Sequence, residues 1–169
     1  MKIIQALKQQ KDLVKKAEDL RNKIARHSAY LNFETPVYLD QKKQVEEWLQ
    51  AHSDVLKELL RLRLAVQKTN LETTVTIEIG GNRLTKSIAA WIHRRRDLST
   101  LECSAWEVLT DRKLKEGKIS ETTGNIVDVK IVRCYSPEKR DSMIEILKGE
   151  ASIIDQNLEI VNAITDIVE

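Results

Sequence analysis

Leu147, Ile154, Val161 and Val168 stand seven residues apart, with Ala151, Leu158 and Thr165 in the alternate slots. Steps of three and four residues put all seven side chains on one side of an α-helix. The stretch therefore predicts a long helix whose apolar seam another helix must cover. Two other stretches repeat the pattern. Ile3, Leu7, Val14, Ala17, Leu20 and Ile24 carry it first, and Val45, Leu49, His52, Leu56, Leu59 and Val66 carry it again. Between them Asn32, Thr35 and Pro36 break the helix, because proline lacks an amide hydrogen and pushes Thr35 out of helical geometry. Asp40 is the N-cap candidate of the second segment. An antiparallel helical hairpin over residues 1–69 follows.

The period then changes. In Thr74-Val75-Thr76-Ile77-Glu78-Ile79 apolar and polar residues alternate and β-branched types dominate, which predicts a half-buried strand. Gly80-Gly81-Asn82 supplies the turn of a β-hairpin over 70–84, with a brief return because Thr85 reads as an N-cap. A third helix is expected within 85–115, with Ile88, Ile92, Leu98, Leu101, Ala105, Val108 and Leu109 facing the core and Gly117 just past its end. The Ser/Thr/Gly stretch to Asn125 reads as mobile. A second strand over 126–134, with Val127, Val129 and Ile131 alternating, is expected to pair with the first. Ser136 and Pro137 open a last helix over 136–169, with a kink or break at Gly149. The fold class is mainly α (α+β): a long antiparallel helical hairpin, two further helices and a small antiparallel β-sheet, in a single domain over 1–169.

Composition narrows the functions. Only 5 Gly and 2 Pro stand against 32% charged residues, which favours long solvent-laced helices. The 28 basic and 26 acidic residues nearly cancel, which argues against a general nucleic-acid binder. No apolar run reaches the ~18 residues that span a membrane, and the start, Met1-Lys2-Ile3-Ile4-Gln5, passes directly into charged helix. A cytoplasmic protein with no membrane partner is expected. Cys103 and Cys134 lack metal-ligand spacing and read as free thiols. No HExxH, GxSxG or P-loop pattern occurs, so neither a catalytic residue, a metal nor a cofactor is expected, and the chain is read as a non-enzyme.

Several features taken in order resemble the septicolysin-like family of small, largely helical bacterial and phage proteins. They are Thr69-Asn70, the strand with its Gly turn, Leu84-Thr85, Arg95-Arg96-Asp97-Leu98, the second strand entering Tyr135-Ser136, and the last helix with Val161-Asn162. The likeness runs from Thr69 onward; before that only periodicity matches. Pro137 replaces a basic residue of the family pattern, and Asn162-Ala163-Ile164-Thr165-Asp166 lacks its C-terminal aromatic. A divergent, phage-borne branch would show both departures. The resemblance implies a helical, oligomeric, cytoplasmic protein without established enzyme activity.

The binding candidates are basic and Thr/Asn groups. Arg94-Arg95-Arg96 is the sharpest charge feature, although consecutive helical residues point about 100° apart and cannot all face one ligand. Arg95 and Arg96 suit a phosphate through their planar forks; the alternative is a solvated face balanced by Asp97 and Glu102. Thr85 and Lys86 would stand at a helix start, whose free amides favour anions, or be an ordinary cap. Thr69 and Asn70 close the second helix, as a cap or as groups reading a ligand's edge. Arg133 and Arg140 form a second basic group beside Pro137, with Lys139, Arg140 and Asp141 as surface pairs in the alternative. Trp91, one turn before Arg95, can stack on a base or pack in the core. The expected whole is a homo-oligomer holding a small anionic, nucleotide-type ligand, such as a host immune signal sequestered by a phage. The second reading is an assembly protein that engages another protein through coiled-coil-like helices.

Overall fold

The structure, a computed structural model, describes residues 1–168. Asp40 starts the second long helix as its side chain allows: its carboxylate accepts the amide of Lys43 at 3.0 Å. The chain is mainly helical, with α1 (Ile3–His27) and α2 (Gln41–Glu72) as its first elements. A hairpin of β1 (Thr74–Ile79) and β2 (Asn82–Ser87) follows, then α3 (Ile88–His93), a π-helical turn (Arg94–Leu98) and α4 (Ser99–Glu107). A second hairpin, β3 (Gly117–Ser120) and β4 (Ile126–Val129), precedes α5 (Pro137–Ile164). None of the helices among the described residues is long and apolar enough to cross a membrane.

The chain divides into two compact units: Met1–Val75 with Ser87–Ala89 and the residues from Leu158 on, and Thr76–Lys86 with Ala90–Asn157. In the first, α1 and α2 form the antiparallel pair. Ala6 packs with Leu62 and Val66 near one end, and Ala17 and Leu20 pack with Val55 toward the other. Leu13 joins both clusters, and Trp48 packs against the second; Tyr38 meets the rings of His27 and Trp48 edge-on, and those two rings lie tilted to each other. The face that α2 buries is Val55, Leu59, Leu62, Val66 and Thr69. Leu49 and Leu56, expected inside, are exposed. So are Leu7 and Val14 of α1, whereas Ile3, Ala17 and Leu20 are buried as expected and Ala6 is buried with them.

After α5 the chain returns to its start. Ile3 N–H donates to the Thr165 carbonyl and Ile167 N–H to the Met1 carbonyl, at 2.9 and 2.8 Å. Lys2 Nζ reaches Asp166 at 2.6 Å and holds that carboxyl below the usual carboxylate range.

In the second unit the boundaries differ from those the sequence predicts. β2 extends through Ser87, so Thr85 is a strand residue and not a helix cap; its hydroxyl lies 2.6 Å from that of Thr76 on the facing strand. Helix α4 stops at Glu107, well before 115, and Gly117 opens β3 rather than ending a helix. The stretch to Asn125 is the turn of a hairpin. Gly117 pairs with Val129 and Ser120 with Ile126, and Glu121 N–H donates to the Asn125 carbonyl at 2.8 Å. The second expected strand thus spans 126–129, and its partner is this new strand, not β1. Local turn chemistry was decisive here, Gly124 taking a φ of +84°. Ser136 caps α5, its hydroxyl accepting the Lys139 amide at 3.2 Å. Gly149 does not end this helix, which continues to Ile164 and leaves Val168 beyond it. The seam itself is buried at Leu147, Ile154 and Leu158.

Candidate functional site

The π turn decides what the arginine triplet does. Ser99 N–H bonds to the Arg94 carbonyl, five residues back instead of four. That extra residue keeps Trp91, Ser99 and Cys103 on the buried side while Arg94 also turns inward. Arg94 Nε and Nη2 donate to the two oxygens of Glu150 at 2.6 and 2.9 Å, a bidentate pair, and Nη1 holds Glu102. Glu150 is 3% exposed and Arg94 19%. The hydrogen bonds to Glu150, and next those to Glu102, push the Arg94 guanidinium further toward its charged form against the opposing effect of burial.

Around this pair lies a cavity of about 460 Å³. Its walls are the glycine turn and the second strand on one side, with Arg83, Leu84 and Lys86, and Met143, Ile146 and Leu147 of α5 on the other. The backbone favours glycine at position 80. Its φ is +57°, and a Cβ on it would stand 2.8 Å from Ile146 Cδ1. Lys86 Nζ sits 5.4 Å over the ring of Trp91, which is fully buried. Among the described residues neither Arg83 nor Lys86 is paired with a carboxylate. Arg83, Lys86 and Arg94 against Glu102 and Glu150 give the lining a net charge of three minus two, or +1.

The sequence candidates do not form one cluster. Thr69 and Asn70 belong to the first unit, and Thr85, Lys86, Arg95, Arg96, Arg133 and Arg140 to the second. Of these only Lys86 lines the cavity. Arg95 pairs with Asp155 at 2.6 Å, and Arg96 lies beside His93 Nδ1 at 3.1 Å and Asp97 at 3.8 Å. Arg133 grips Asp111 through two bonds of 2.7 and 2.6 Å and lowers its carboxyl below the usual range. Arg140 bonds Asp141 and the Leu109 carbonyl and lies over Tyr135.

Thr69 and Asn70 are not a helix end. Helix α2 runs on to Glu72 and is closed by Thr73, whose N–H donates to the Thr69 carbonyl at 2.9 Å. Thr69 is buried, its hydroxyl donating to the Ala65 carbonyl and accepting from Val168 N–H, both at 2.8 Å. Asn70 Oδ1 is buried without a hydrogen-bond partner among the described residues. The third helix starts not at Thr85 but at Ile88, whose amide is already given to the Thr73 carbonyl at 2.9 Å.

Sequence reasoning missed Arg83 and Glu150, and from the arginine triplet it singled out Arg95 and Arg96 where Arg94 is the one that turns inward. Glu150 carried a signal: it lies three residues after Leu147 and four before Ile154, a charge on an otherwise apolar face that implies a buried partner. Groups of three or more potential metal ligands are absent among the described residues. No protein-family model matches the chain, and no curated protein or solved structure is significantly similar to it.

Proposed function

We propose that this chain is a non-enzymatic binding protein that assembles from several copies and holds a small phosphorylated, nucleotide-type ligand. The observation that carries this reading is the cavity beside the first β-hairpin, where Arg83 and Lys86 line apolar walls without carboxylate partners among the described residues. A cation beside Leu84, Met143 and Ile146 offers one anionic and one apolar contact, the two halves of a nucleotide. The net charge of +1 suits a phosphodiester or one phosphate better than a triphosphate. Both carboxylates at the cavity are held by Arg94, so neither is poised as a base. Binding without turnover is the behaviour of a sequestering protein, and a phage-encoded protein that withdraws a host nucleotide signal is the finer form of the proposal. The resemblance to the septicolysin-like family supports the helical, oligomeric part.

Titration calorimetry against mono-, cyclic and dinucleotides tests the reading. Binding of one class is expected, weakened at least about tenfold by Arg83→Ala or Lys86→Ala, as loss of a charge-assisted contact predicts. No heat at millimolar nucleotide, or binding indifferent to both substitutions, overturns it. A second reading, an assembly protein that engages another protein, is favoured by the exposed leucines of α2. Co-purification of one defined partner in stoichiometric amount would select it.

A further inference from the structure

Helix α2 carries a second apolar stripe besides the one it buries against α1. Leu49, Leu56, Leu60, Leu64 and Leu71 are 53%, 45%, 58%, 55% and 67% exposed. At about 100° per residue, Leu49 and Leu71 lie about 20° to either side of Leu60, and Leu56 and Leu64 about 40°. The five therefore form one narrow line. The recurrence at 49, 60 and 71 is an eleven-residue period, close enough to the natural helical repeat that the line stays on one face of a straight helix.

The spacing is also a palindrome: steps of seven, four, four and seven around Leu60. Antiparallel pairing of two copies about a two-fold axis at Leu60 places Leu60 against Leu60, Leu56 against Leu64, and Leu49 against Leu71. Such an interface is self-complementary, as two-fold symmetry requires.

We infer that the exposed leucine stripe of α2 is a two-fold, antiparallel interface with a second copy of this chain, centred on Leu60. The inference deepens the assembly part of the proposed function and rests on it. Leu60→Glu places two carboxylates against each other on the axis, yet alters a residue exposed in the single chain. Sedimentation at micromolar concentration is expected to show an assembly whose mass at least halves in Leu60→Glu, with helical circular dichroism unchanged. Single cysteines give an independent test in a Cys134→Ser background, Cys103 being buried. On mild oxidation Leu60→Cys should cross-link to itself, and Leu49→Cys mixed with Leu71→Cys should give the crossed dimer in preference to 49–49 or 71–71. An assembly that keeps its mass in Leu60→Glu, or one that cross-links 49 to 49, overturns the interface alone. A monomeric wild-type chain of 19.5 kDa overturns both the interface and the assembly part of the proposed function. Nucleotide calorimetry on Leu60→Glu then reads the cavity separately.

Discussion

Arg94 and Glu150, 56 residues apart in the chain, meet in a bidentate ion pair whose carboxylate is almost fully buried. The pair joins the π turn to α5 and fixes the floor of the cavity. Its energetics are asymmetric. Two paired charges cost little net, whereas one left alone is expensive, because desolvation is no longer offset by attraction. Arg94→Met and Glu150→Met are each expected to destabilise by about 3 kcal/mol, and the double substitution by clearly less than their sum. Urea unfolding of the four proteins checks this. Additive losses would mean the pair contributes nothing as a pair.

Thr69 ties α2 to the returning end of the chain through the Val168 amide. Thr69→Val keeps the shape but leaves that amide without its acceptor, at an expected cost of about 1–3 kcal/mol. Thr69→Ser should recover most of it. Amide hydrogen exchange at Val168, faster in the valine variant only, would locate the effect.

Gly80 combines a left-handed backbone with a close neighbour, and Gly81 has a left-handed backbone in open space. Alanine at either position meets the backbone cost of about 1–2 kcal/mol. Only Gly80→Ala must also displace Ile146, so its loss of thermal stability should exceed that of Gly81→Ala. Equal losses would show that Ile146 yields freely.

Arg133 holds the Asp111 carboxyl below its ordinary pKa, chiefly by hydrogen bonding. A carboxyl whose folded pKa lies below its unfolded value adds stability above the unfolded value and loses it as pH falls through the folded one. The Asp111–Arg133 contribution is therefore present at neutral pH and disappears in acid, below the ordinary aspartate range. It is small, because both groups meet solvent. Carboxyl NMR titration should find the Asp111 pKa rising toward the ordinary value in Arg133→Ala. An unmoved titration would remove Arg133 as the cause.

Local chemistry was legible in the chain. Asp40 and Ser136-Pro137 mark helix starts because capping depends on residues within one turn, and β1 shows its alternation because a strand repeats every two residues. The third helix was harder. Its true start at Ile88 is set by the length of the β2 ladder, and its π turn by the need to bury both Trp91 and Cys103 while Arg94 reaches Glu150. No residue within four positions announces either. The candidate phosphate groups scattered for the same reason: Arg95, Arg133 and Arg140 found carboxylates at Asp155, Asp111 and Asp141, and only Asp141 adjoins its partner in sequence.

By itself the sequence determined that this protein is built on long amphipathic helices, where two of them begin, and which segment turns back as the first hairpin. Only the tertiary structure decided which side of α2 goes inside, since that helix carries two apolar lines and either can be covered. Periodicity counts greasy positions along one helix. Burial depends on which of them finds a facing surface, and here α1 takes Val55, Leu59, Leu62 and Val66 and leaves the leucines about Leu60 to the outside.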